Sequence, residues 1–180
     1  NIDNIILEPV LENDLVAVSI TGNTTPTVGV ESQYTIKVQN AGTVTTSDYT
    51  VKLMKEGGVL LGSTPGELIE FGEELTFVIP WTPDAADEGE TYIYGTVDFA
   101  ADEMVGNNQT ANLVLNVQPE GVVVVTIGAG TKLLYMPYNF LYDHSLSQSL
   151  YFPDEIGMTG GVITGLQYKS TFNAPYLDRN

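Results

Sequence analysis

The sequence contains no cysteine. Disulfides, thiolate nucleophiles and zinc–thiolate sites are therefore excluded together. Histidine occurs once, at His144, so a histidine-rich metal centre is excluded as well. Positive charge is scarce: six lysines and arginines stand against 23 aspartates and glutamates, a formal charge of −17. A surface this acidic repels phosphate backbones, which argues against nucleic acid as a partner and against docking on anionic lipid. No run approaches the ~18 apolar residues of a membrane-spanning helix, so no membrane insertion is expected. The chain opens at Asn1 with neither Met nor a basic leader, as expected of a mature or excised fragment.

Apolar residues are plentiful, at 43% of 180, enough for one good core or for one core and a smaller neighbour. Charge divides the chain unevenly. Only four acidic residues (Asp143, Asp154, Glu155 and Asp178) follow Gly121, while the other 19 precede it with three of the six basic residues. Such a shift suggests two units with different surfaces. The join, Val117-Gln118-Pro119-Glu120-Gly121, has the proline and glycine of a short linker. The expected organisation is an N-terminal extension (1–13), a main unit (14–119) and a smaller unit (120–180).

Hydrophobic periodicity in the main unit is almost wholly two. Leu15, Val16, Val18 and Ile20 alternate with small or polar residues, and Tyr34, Ile36 and Val38 alternate with Thr35, Lys37 and Gln39. The same holds for Tyr49, Val51 and Leu53, for Leu75, Phe77 and Ile79, and for Leu113, Leu115 and Val117. In residues 92–98, Tyr92, Tyr94, Thr96 and Asp98 alternate with Ile93, Gly95 and Val97. Alternation of this kind puts one set of side chains on each face of a strand, one buried and one wet. Turn signals separate the runs: Asn40-Ala41-Gly42, Glu56-Gly57-Gly58, Thr64-Pro65-Gly66, Phe71-Gly72-Glu73, the stretch from Pro80 to Glu90, and Asp102 to Asn108. Gly42 is expected to supply a positive φ after the second strand. About seven strands spaced by Gly and Pro read as an all-β, Ig-like antiparallel β-sandwich. Trp81 is expected to plug the end of a core strand.

One ordered set of residues is more specific. Val28-Gly29 precedes a strand ending Val38-Gln39-Asn40-Ala41-Gly42. The Lys55-Glu56-Gly57-Gly58 turn, Phe71-Gly72-Glu73-Glu74 and Ile79-Pro80-Trp81-Thr82-Pro83 follow. Gly89, a tyrosine-rich strand, Val97-Asp98, Glu103 and Asn107-Asn108 complete the series. This order resembles the CARDB family, the cell-adhesion-related domain of bacteria. The resemblance implies an Ig-like sandwich over residues 14–119 in an extracellular or cell-surface protein. The acidic run before the paired asparagines is thinner than the family's, since Met104, Val105 and Gly106 follow Asp102 and Glu103. Asn107 and Asn108 are expected to bond neighbouring backbone and pin the last hairpin.

Residues 121–180 look like the opening of a β-rich, jelly-roll-like module of secreted bacterial proteins. The β-branched run Val122–Ile127 supplies its expected first strand. Too short for a full domain, this unit is expected to leave strand edges open to the first unit, to a second copy or to absent sequence.

Catalytic motifs fail one by one. Gly128-Ala129-Gly130 follows a strand-like run, but Leu133 stands where a dinucleotide turn needs its third glycine. Asp143-His144-Ser145 places neighbours on opposite faces of a strand, and no Gly-x-Ser-x-Gly elbow exists. The acidic clusters are the remaining candidates. Asp84 and Asp87 lie with Glu88 and Glu90 in one loop; Asp98, Asp102 and Glu103 lie with Asn107 and Asn108 near another. If these loops meet at one end of the sandwich, their oxygens suit calcium, which takes six to eight. The other reading is a solvated acidic face. Tyr92, Tyr94, Tyr135, Tyr138, Tyr142 and Tyr151 could stack on sugars or pair across strands. The expected function is non-enzymatic: an extracellular adhesion or spacer module with a protein or glycan ligand. The alternative is an accessory substrate- or glycan-binding domain of a secreted peptidase or carbohydrate-active enzyme. Apart from the calcium option, no cofactor is expected.

Overall fold

A computed structural model describes residues 11–128, 146, 148–158 and 160–168. The chain forms two compact units, Asn1–Val124 and Val125–Asn180. In the first, the alternating runs become seven strands: β1 (Leu15–Gly22), β2 (Ser32–Asn40), β3 (Thr50–Lys55), β4 (Val59–Pro65), β5 (Glu74–Trp81), β6 (Gly89–Asp98) and β7 (Leu113–Val117). They pair antiparallel into a three-stranded sheet, β1-β2-β5, and a four-stranded sheet, β4-β3-β6-β7. This is the expected Ig-like sandwich.

The inner faces are the ones the alternation marks. Tyr34, Ile36 and Val38 of β2 face Val51 and Leu53 of β3, with Ile93 and Val97 of β6, and all seven are buried in one core. Trp81 ends β5 as expected, 7% exposed, with its ring 6.1 Å from that of Tyr34. Tyr49 meets Phe77 edge-on at 6.0 Å. Two glycines let the sheets approach. A Cβ on Gly95 would lie 2.8 Å from Ile36 Cγ2, and one on Gly62 would lie 2.7 Å from Ile79 Cγ2.

Two bulges break the simple period. In β1 the register slips between Ala17 and Ser19, which turns Val18 outward (41% exposed) while Ile20 returns to the core. An extra residue in one strand shifts every later side chain to the other face, so Leu15 and Ala17 fall in phase with Ile20 rather than with Val18. In the β3–β4 pair, Leu53 opposes Gly62 and Met54 opposes Leu60. Leu61 is left between them and packs against the core.

Gly42 serves differently from the expectation. Its φ is not positive. A Cβ there would lie 2.5 Å from both Asp14 N and Glu12 O, so glycine is needed because incoming backbone crosses it. Ala41 N and Gly42 N donate to Asp14 O, Thr43 N to Leu11 O and Val44 N to Glu12 O. Residues 11–13, expected in an extension, are therefore bonded into the sandwich. Beyond β7, Thr24–Val28 runs parallel to the edge: Asn116 N donates to Thr24 O, Gln118 N to Pro26 O and Val28 N to Gln118 O.

Much of the expected β-rich unit, 120–180, lies outside the described residues. Among the described residues after Pro119 none joins a β-ladder, and one helical turn, α1 (Pro153–Ile156), ends on Gly157 in the left-handed region. The run Val122–Ile127 is exposed at Val123 (62%) and Val124 (43%). High β-propensity supplies no partner strand by itself, and none pairs with this run among the described residues; Val122 O accepts only from the Thr27 hydroxyl. Gly130, Leu133, Tyr135, Tyr138, Tyr142, Asp143 and His144 lie outside the described residues.

Two outcomes follow for stability. Gly95→Ala forces a methyl against Ile36 and should cost about 1–3 kcal/mol in urea unfolding, with unchanged strand content. Tyr34 is fully buried, and its desolvation pushes the phenol pKa up to about 12 from 10.0, against a smaller opposing hydrogen bond with Ser32. Between those values the unfolded chain ionises while the folded one holds its proton. The contribution is complete below pH 10 and is lost as pH rises towards 12, by about 3 kcal/mol at most. Tyr34→Phe should flatten that alkaline slope, at a cost of about 1 kcal/mol near neutrality for the lost bond to Asn23 O.

Candidate functional site

Strand β6 fixes where the acidic residues can go. It is ten residues long, about 30 Å at ~3.3 Å per residue. Asp84 and Asp87 precede it and Asp98, Asp102, Glu103 and Asn107 end or follow it, so the two groups sit at opposite ends of the sandwich. The expectation that both loops meet at one end fails on this strand length.

At the far end, where β6 begins, Asp84 starts a 3-10 turn (Ala85–Asp87). Its Oδ1 accepts from Ala86 N at 2.8 Å, and Asp87 Oδ2 returns the bond by accepting from Asp84 N at 2.9 Å. Asp87 is buried and its other oxygen binds Lys55 Nζ. At the near end, Asp98 pairs with Lys52 across the outer face. Asp102 accepts from Leu15 N at 3.0 Å and from Met104 N at 2.8 Å. Glu103 accepts a long bond from Asn13 Nδ2, 3.5 Å. Asn107 Nδ2 donates to Asp14 Oδ1 at 2.9 Å, which ties the β6–β7 loop to the chain entering β1 instead of pinning its own hairpin. These carboxylates are spent on backbone amides, lysines and, for Glu103, the Asn13 side-chain amide. Among the described residues no three histidine or acidic side chains are grouped to hold a metal ion.

Sequence reasoning missed two members of this near-end polar knot. Asp14 is 7% exposed, and Asn40, at 1%, donates from Nδ2 to Val44 O and Ile69 O and accepts from Gly42 N. The 93-residue separation of Asp14 and Asn107 leaves no local signal for their contact. Asn40 was visible as a turn residue, but its full burial followed only from the crossing of three loops.

The most open chemistry lies on the solvent face of the four-stranded sheet. The phase of β6 that buries Ile93, Gly95 and Val97 turns Glu90, Tyr92, Tyr94, Thr96 and Asp98 outward. Tyr92 and Tyr94 sit side by side, ring centroids 6.5 Å apart at 36°. Register places Met54 beside Tyr94, Leu60 beside Met54 and Val114 beside Tyr92. Leu60 and Val114 are 54% and 58% exposed. Towards the far end this apolar stripe dips into a shallow depression of about 250 Å³ lined by Glu56, Glu90, Thr91, Tyr92 and Val114. That is smaller than the ~300–1,000 Å³ of ordinary small-molecule clefts. It is too open to shield a reacting group from water. Tyr151, also singled out as a stacking candidate, is 38% exposed in the second unit.

Removing the near-end acceptor tests the structural role of these acids. Asp102→Ala strands two backbone amides and should lower unfolding stability by about 2 kcal/mol. Asp98→Ala, which breaks an exposed pair, should cost less than about 1 kcal/mol in the same urea titration.

The family model for CARDB matches residues 12–116 of this chain. Among solved structures, the solution structure of the CARDB domain of a Pyrococcus furiosus protein superposes with a TM-score of 0.50. It is 23% identical, over 60% of this chain and 97% of its own. A crystal structure of that domain in complex with di-metal ions gives a TM-score of 0.49 and 23% identity, covering 62% of this chain and 94% of its own. A domain assigned to a cell surface protein of Methanosarcina acetivorans gives 0.50 and 19%, over 59% of this chain and 93% of its own. At these identities the likeness is one of fold. No curated protein matches the chain. The match to the family model spans more than half the sequence, and the chain belongs to the CARDB family.

Proposed function

We propose that this chain is a non-catalytic extracellular module that holds other parts of a larger surface or secreted protein apart, as a spacer in an adhesive assembly. Membership of CARDB, a cell-surface-associated family of non-enzymatic modules, supports the general class. The spacer role rests on one observation. The chain comes into β1 at the near end, where Leu15 N meets Asp102, and leaves β7 at the far end, where Val117 opposes Gly89. The body between them is a packed core with no deep cleft. Sequence joined on either side is thereby held about 30 Å apart along the strands.

A second reading, an accessory domain that binds a protein or glycan, is favoured by the outward Tyr92–Tyr94 pair and its apolar neighbours. Contiguous apolar patches on a sheet face are common sites of contact with a partner, and tyrosine suits them because its ring is apolar and its tip polar.

Replacement separates the two. If residues 12–116 act as a spacer, an unrelated sandwich of equal length, with its termini at opposite ends, should restore cell adhesion by the parent protein. Deletion should reduce it. If the foreign sandwich fails at equal surface expression, a specific surface of this module is required and the spacer reading falls.

A further inference from the structure

We propose that the depression at the far end of the four-stranded sheet docks an arginine side chain of a partner protein. The inference stands independently of the spacer reading, because a module can separate its neighbours with or without holding a ligand.

The argument begins from the cations. The first unit has three lysines, and each is committed: Lys37 to Glu74, Lys52 to Asp98 and Lys55 to Asp87. Glu56, from the β3–β4 turn, and Glu90, from the start of β6, flank the depression, and both are exposed. Neither has an ion-pair or hydrogen-bond partner among the described residues. Tyr92 and Val114 line the same depression, with Tyr94 beside Tyr92. Two uncompensated carboxylates bordering an aromatic face favour a positive group.

A guanidinium fits this chemistry better than an ammonium. It is planar, so it can lie on a tyrosine ring while its fork reaches a carboxylate, and it is less strongly hydrated. The depression is of side-chain size, below that of ordinary ligand clefts. A neutral sugar could stack on Tyr92, but it would make no use of the two carboxylates that border the depression. The occupant is therefore a basic segment of a protein, drawn in by a chain of formal charge −17 and held where an aromatic ring adds to the charge.

The test is a chemical-shift titration of the full 180-residue chain at about 0.15 M salt, where diffuse attraction is screened. The probes are acetyl-Gly-Arg-Gly-Arg-Gly-amide, its lysine counterpart and cellohexaose. The arginine peptide should perturb Glu56, Glu90 to Tyr92 and Val114 first, and should bind more tightly than the lysine peptide. Glu56→Gln with Glu90→Gln should weaken it about fivefold or more, as should Tyr92→Leu alone. Glu31→Gln with Glu70→Gln removes the same charge at other exposed positions and should change affinity less than about twofold. The well-dispersed spectrum of each variant reports its folding, and Tyr92→Leu carries the test if the double variant is unfolded. Equal weakening by both glutamine pairs would mean diffuse attraction and overturn the site. So would cellohexaose shifting these resonances while the peptides do not.

Discussion

The sandwich depends on how closely two sheets can approach when no disulfide can draw them together. Closeness is obtained by setting large side chains against absent ones. Ile36 of β2 lies over Gly95 of β6, and Ile79 of β5 over Gly62 of β4. Within each sheet the same device recurs between neighbouring strands, the Tyr34 ring covering Gly22 and the Tyr49 ring covering Gly66. Each pairing gives an isoleucine or tyrosine a flat floor at van der Waals distance, and dispersion falls steeply once a gap opens. The two aromatic pairs, Tyr34–Trp81 and Tyr49–Phe77, fill what remains within the core. Covalent cross-linking is thus replaced by shape, and several glycines that resemble turn punctuation in the sequence are packing residues.

Strand existence was plain from the sequence because a half-buried strand writes its exposure into every second residue. Tyr34-Ile36-Val38 and Ile93-Gly95-Val97 are inward as their period implies. The exceptions share one cause: they depend on what another segment does. Val18 keeps the alternation of β1 on paper, but it is itself the unpaired residue between Ala17 and Ser19 and lies on the wet face. Gly42 sits in a turn signal, yet its constraint comes from the backbone of Glu12 and Asp14 passing over it. The two acidic loops look equivalent in the sequence, and only the length of β6 shows that they lie at opposite ends. Val122–Ile127 has the composition of a strand without a ladder among the described residues. Composition reports preference for an extended backbone; pairing is a property of two segments.

The acidic surplus divides into two populations that the sequence alone does not distinguish. Asp84, Asp87 and Asp102 accept backbone N–H bonds at loop corners, and Glu73 does the same for Glu70 N. Such amides have no strand partner, and an ionised acceptor satisfies them more strongly than a neutral one. Other acids, Glu56 and Glu90 among them, make no such bond among the described residues. The outer face of the four-stranded sheet thereby combines unspent charge with an aromatic pair. Each outer face also carries one ion pair, Lys37 with Glu74 on β1-β2-β5 and Lys52 with Asp98 on the four-stranded sheet. The exposure of Glu90, Tyr92 and Tyr94 on that face arises from side-chain phase along β6.

The strap of Thr24–Val28 along β7 also bears on how the module would respond to force. Tension applied through residue 11 and Gln118 pulls β1 and β7 in opposite directions along their own axes. β7 is gripped on both flanks, by β6 on one side and by the parallel strap on the other. Sliding it out requires many hydrogen bonds to yield together in shear, whereas a strand peeled from a free margin gives them up singly. The sandwich therefore resists stretching most along the line from residue 11 to Gln118.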